Sequence, residues 1–186
     1  ETGSELKNFD IAGFTLQYEM SYSNIVNMLD LANIPLLSKD RKDIFICAGG
    51  PCAYNPEPLA DIFDFFVMGE GEEVINEILD KYSEWKKAKG ARKSFLEQIA
   101  LIEGVYVPCL YTVSYNADGT IKAVLPNNEN AKDKVTKRIV KSLDSAYYPE
   151  NVIVPNVDVV HDRIMLELFR GCIRGCRFCQ AGSVYR

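Results

Sequence analysis

No stretch of the 186-residue sequence approaches the ~20 consecutive apolar residues of a membrane-spanning helix, so no helical span is expected. The first residues, Glu1-Thr2-Gly3-Ser4-Glu5, are polar and acidic and lack the regions of a secretory signal. That fits a cytoplasmic chain, or one whose true start lies elsewhere. Positive charge is in the minority. The 21 Lys and Arg against 26 Asp and Glu leave a net charge of −5, which excludes a surface built wholly for nucleic acid. Histidine is almost missing, His161 being the single one. Internal repeats and low-complexity segments are absent, so solenoid and linker classes fall away.

What is present is ordinary for a globular protein: 47% apolar and 25% charged residues. The length suits one large domain, or one domain plus a piece of a second. A chain of this size buries roughly 70% of its unfolded surface and needs no covalent staples.

Short apolar runs at 10–16, 43–48 and 65–68 read as buried strands. Between and after them, helical spacing predicts a helix over 23–33, with Ile25, Met28, Leu29 and Ala32 on one stripe, Ser23 or Asn24 as its cap and Pro35 as its stop. A short helix follows over 57–63, and a longer one carries Ile75, Ile78, Leu79, Tyr82 and Trp85. A charged stretch at 86–93 reads as a solvated helix face or turn, with a further helix over 94–101. Strands apolar at nearly every position have both faces covered, which points to a parallel sheet between helix layers. Residues 111–115 and 120–125 flank Asn116-Ala117-Asp118-Gly119, a hairpin signal. The polar chain from 126 to 151 reads as a surface linker. Residues 163–169 read as one more strand.

Six cysteines are present, and three fall within eight residues: Cys172, Cys176 and Cys179. A cluster spaced Cys-x3-Cys-x2-Cys reads as a metal site in a reducing compartment rather than a disulfide framework. Four-iron clusters normally take four thiolates, so three leave one iron open, as catalytic metal sites do. Zinc with a distant fourth ligand, Cys109 or His161, is the alternative. Cys47 reads as a small apolar filler and Cys109 as structural. Cys52 sits in a glycine turn, with no visible base to make it reactive.

Cys172-x3-Cys176-x-Phe178-Cys179, with its aromatic before the last cysteine, resembles the signature of the radical S-adenosylmethionine (SAM) superfamily. The resemblance implies a [4Fe–4S] cluster on these three cysteines, with SAM completing the fourth iron. It also implies SAM cleavage to methionine and a 5′-deoxyadenosyl radical, and an electron donor such as flavodoxin or ferredoxin. Strand 163–169 would open the family's barrel. With seven residues after Cys179, the chain looks like a fragment cut behind its cluster loop and without turnover of its own.

The N-terminal part resembles the cobalamin-binding-like domain that precedes the barrel in one branch. The candidate cofactor-binding residues are Gly49, Gly50 and Pro51 after one strand, and Gly69, Glu70 and Gly71 after the next. Tight turns alone are the plain alternative. Val74 stands where a dinucleotide fingerprint needs glycine, and Glu70, Glu72 and Glu73 suit the positive end of a helix better than a pyrophosphate. The histidine that often ligates cobalt in that branch has no counterpart here; the resemblance leaves open cobalamin bound without it, as in many radical SAM relatives, or a domain that only resembles a binder.

The expected architecture is therefore α/β: a partial Rossmann-like (flavodoxin-like) three-layer parallel sheet over residues 1–104, a hairpin and linker over 105–160, and the start of a truncated radical SAM barrel over 161–186. Arg163, Arg170, Arg174, Arg177 and Arg186 make the end of the chain basic, suited to an anionic cluster or to solvent. Lys132, Lys134, Lys137, Arg138 and Lys141 read as a solvated helix face, with RNA contact as the alternative. The substrate, RNA or a small molecule, is not written in these residues. A non-catalytic cobalamin- or protein-binding module and an iron–sulfur electron carrier are the competing functional classes.

Overall fold

A computed structural model describes residues 3–151, 154, 156–160, 163 and 166–185. They group into two compact units, Glu1–Ile139 and Val140–Arg186.

The first unit is a Rossmann-like α/β layer structure. Strand β1 (Ile11–Thr15) leads to helix α1 (Tyr22–Leu31), β2 (Phe45–Gly49), β3 (Phe65–Val67), α2 (Gly71–Ala88), α3 (Arg92–Ile99) and β4 (Val105–Tyr106). The sheet order is β1-β2-β3-β4, with β1, β2 and β3 parallel. β4 runs antiparallel to β3, pairing Tyr106 with Phe66 and Val105 with Val67. The sequence suggests three strands; a two-residue strand is too short to show alternation.

Alternation across the pleat sorts the core. Ile46 and Phe66 point to one face, where they meet Ile25 and Leu29 of α1, Leu59 and Phe63. Phe45 and Phe65 point to the other, against Val74, Ile78, Phe95 and Ile99 of α2 and α3. Burying each of these side chains contributes about 1.5–3 kcal/mol, so the adjacent phenylalanine pair at 65 and 66 ties both helix layers to one strand.

Local chemistry explains where the elements differ from expectation. Helix α1 begins at Tyr22 and ends at Leu31, well before Pro35. Asn33 takes the left-handed conformation just past its end, which closes the helix without proline. The helix suggested over 57–63 is only a 3-10 turn, Glu57–Leu59. α2 runs on through Ala88, so part of the charged stretch is helix, with Glu72 and Glu73 at its start and Lys86 and Lys87 at its end. Strands β5 (Tyr111–Tyr115) and β6 (Ile121–Pro126) form the hairpin, its turn closed by Asp118 accepting from the Thr120 N–H at 3.0 Å.

A buried ion network locks the amino ends of β2 and β3. The Asp64 carboxylate accepts the Ile46 N–H at 2.7 Å and faces Arg92 at 2.8 Å and Arg41 at 3.4 Å. The Arg41 guanidinium also donates to the carbonyl of Ile62, and Arg92 lies 3.9 Å over the Phe45 ring.

In the second unit the described residues hold a 3-10 turn, Leu143–Ser145, and one short α-helix, α4 (Ala181–Val184). Of the strand expected over 163–169, Ile164 and Met165 lie outside the described residues, and residues 166–169 carry no strand pairing. His161 and Arg186 also lie outside them.

Candidate functional site

Two places carry the residues of interest: the carboxyl ends of β2 and β3, and the cysteine loop. In parallel sheets ligands sit beyond the carboxyl ends of the strands.

Gly49, Gly50 and Pro51 leave β2 in a turn that closes on the end of β1. The Leu16 N–H donates to the Gly49 carbonyl at 2.8 Å, and the Cys52 N–H donates to the Leu16 carbonyl at 3.1 Å. Gly50 has φ +95°, and a Cβ there would lie 2.9 Å from the Leu16 oxygen. The glycine is required by the neighbouring main chain. Cys52 is buried behind this turn, where burial and then the Glu19 carboxylate push its thiol up.

Gly69, Glu70 and Gly71 follow β3. Gly69 has φ +104°, and a Cβ on it would overlap the Arg138 carbonyl oxygen. The Arg138 N–H donates to Met68 at 2.9 Å, and the Glu70 N–H donates back to Arg138 at 3.0 Å, a short parallel bridge. Gly71 opens α2, and a Cβ there meets nothing within 4 Å. The Arg138 side chain reaches Glu73 at 2.6 Å and Glu77 at 2.7 Å, one turn apart on α2. The Glu73 contact first, then Glu77, raises its pKa further. The basic run around it is therefore not a helix face: Arg138 turns onto α2, and Lys132 donates to the Leu101 carbonyl at 2.9 Å. Sequence reasoning placed Arg138 in a solvated run and missed its pairing with α2. The available signal was Glu73 and Glu77, two acids on one helical face, which ask for a cation without naming it.

The cysteine loop lies in the second unit. Gly171 and Gly175 both have positive φ, +92° and +66°. The Cys179 N–H donates to the Cys176 carbonyl at 3.1 Å, so these two cysteines bracket one tight turn, and α4 follows at once. Cys172, Cys176 and Cys179 are all exposed and free. Among the described residues no three Cys, His, Asp or Glu side chains converge as metal ligands. Arg170 is bound by Glu167 through two contacts, 2.8 and 2.9 Å, whereas Arg174 and Arg177 are exposed beside the cysteines. Leu166, Leu168, Phe169, Ile173 and Phe178 are each more than 70% exposed.

Residues 1–108 match the family model described as radical SAM proteins, N-terminal. The chain belongs to this radical SAM family. It is also 29% identical, over 188 residues, to the uncharacterized protein MJ0966 of Methanocaldococcus jannaschii. That match takes in the whole of this chain and 33% of the relative, so the chain spans about a third of the relative's length. No solved structure matches it. No helix among the described residues of this radical SAM chain is long and apolar enough to cross a membrane.

The six thiols of the radical SAM chain differ in access. Alkylation of the folded chain at pH 8 is expected to label Cys172, Cys176 and Cys179 rapidly and Cys109 more slowly, since desolvation by its neighbours, and then the Asp64 carboxylate, raise the Cys109 thiol. Cys47, whose thiol burial pushes up to about 12, and buried Cys52 should react only after denaturation. Peptide mapping reads the order. Labelling of Cys47 at the rate of the loop cysteines would contradict it.

Proposed function

We propose that Cys172, Cys176 and Cys179 hold a [4Fe–4S] cluster, and that this chain is part of a radical SAM enzyme. The observation that carries the reading is the loop itself: three exposed thiols, uncommitted to any disulfide, on a backbone bent by two left-handed glycines. Its donor chemistry fits an iron–sulfur cluster, which thiolates hold. A fourth cysteine is missing from the loop, so one metal position stays open to a small molecule. When bound, the cluster supplies the electron that cleaves SAM.

The chain's own residues have distinct tasks in this reading. The thiolates of Cys172, Cys176 and Cys179 ligate. Arg174 and Arg177 place positive charge beside an anionic centre and can meet the carboxylate of SAM. Arg170, held by Glu167, orients the entry to the loop. Ile173 and Phe178 flank the ligands and shield the sulfurs from water once the rest of the barrel covers them. The large apolar side chains between Leu166 and Phe178 suit that reading, since a barrel strand and its loop would bury them. An electron carrier such as flavodoxin or ferredoxin, and a cytoplasmic location, follow from the same chemistry.

The test is anaerobic reconstitution of the full-length protein with iron and sulfide, followed by incubation with SAM and a reductant. Uptake of about four irons and release of 5′-deoxyadenosine is the expected result. Binding of a single zinc with no cleavage would end the reading.

A further inference from the structure

We propose that the carboxyl edge of the sheet in the first unit is filled by the chain's own segment around Arg138, and that this domain binds no cobalamin. The inference concerns Glu1–Ile139 and is independent of whether the cysteine loop holds a cluster.

Three observations carry it. The first is occupancy. The place against Gly69 is taken by the Arg138 main chain, hydrogen-bonded on both sides through Met68 and Glu70. Met68 is tied in turn to the Gly104 carbonyl at 2.7 Å, so the segment, β3 and the approach to β4 form one hydrogen-bonded ladder. Gly50 is likewise closed by Leu16. A cofactor entering the edge would have to displace main chain at both turns.

The second is the lock. Arg138 reaches Glu73 and Glu77 together, and its side chain is only 17% exposed. A partly buried guanidinium shared by two carboxylates is among the stronger surface pairings. It fastens the segment to α2 as well as to β3.

The third is donor chemistry. Cobalamin carries a phosphodiester in its nucleotide tail, and cobalt is commonly held by an imidazole. No histidine lies in Glu1–Ile139. The edge instead carries Glu70 and Glu72 beside the Arg138-paired Glu73 and Glu77, four acids against one guanidinium, and that net negative charge opposes a phosphate.

Two measurements test the proposal. Titration of the chain with hydroxocobalamin, followed by visible absorbance, should give no saturable change up to 100-fold molar excess. Saturable binding overturns it. Hydrogen exchange on Arg138→Ala should show the amides of residues 70 and 138 exchanging roughly tenfold faster, while the amides of β2 keep their protection. Unchanged exchange at both positions overturns the lock. Should Arg138→Ala fail to fold, the double variant Glu73→Gln with Glu77→Gln breaks the same ion pairs from the exposed side of α2. It should loosen the same two amides.

Discussion

Serine at Cys176 is expected to strip the cluster from the full-length protein and to lower SAM cleavage at least about a thousandfold, because a serine hydroxyl does not ionise where a thiol does. Cys176 is the residue to change first. It follows Gly175, whose left-handed backbone turns the chain, and its carbonyl accepts the Cys179 N–H at 3.1 Å. The substitution therefore removes a sulfur while leaving the turn intact, because the hydrogen bond belongs to the main chain. Iron content, the brown absorbance of the reconstituted protein and 5′-deoxyadenosine release should fall together. Cys109→Ser, in the first unit, is the control and should keep all three. A Cys176→Ser protein that retains its iron would remove this residue from the ligand set. Loss of iron in the Cys109 variant would bring back a zinc-like fourth ligand.

Replacing Asp64 with alanine should destabilise the first unit by about 3–5 kcal/mol, the usual effect of removing one partner of a buried ion pair, and lower Tm by roughly 10 °C. The side chains of Asp64 and Arg41 are 2% and 0% exposed, so water cannot replace the lost carboxylate. Burial pushes the Asp64 carboxyl up, while Arg41 and then Arg92 pull it back towards the charged form. Without it Arg41 keeps only carbonyl partners, at Pro35, Leu36 and Ile62, and the Ile46 N–H loses its acceptor. Urea denaturation followed by circular dichroism measures the loss. In an Arg41→Met background the further loss from Asp64→Ala should shrink by more than half, because the stranded charge is gone. Equal losses in both backgrounds would show that Asp64 acts through Ile46 and Arg92 rather than through Arg41.

The layered sheet was legible because its strands and helices obey different periods. Phe65 and Phe66 of β3 stand on opposite faces by the pleat, and α1 and α2 bury residues one turn apart. The hairpin was legible from its glycine turn. β4 was not, because two residues carry no period. The Arg41–Asp64–Arg92 network was hidden because its members lie 23 and 28 residues apart and charge type does not specify pairing. For the same reason Arg138 looked like one cation in a solvated run. At the glycine turns the residue types announced positive φ and close approach, but not what approaches; only the fold shows that it is main chain. The cysteine spacing pointed to the radical SAM family, to which residues 1–108 independently assign the chain. It says nothing of how the loop is presented.

Because main chain, rather than a side chain, lies against Gly69, no single substitution could empty that position. Opening a cleft there would take deletion or rerouting of the peptide around Arg138, a change in topology rather than in residue identity.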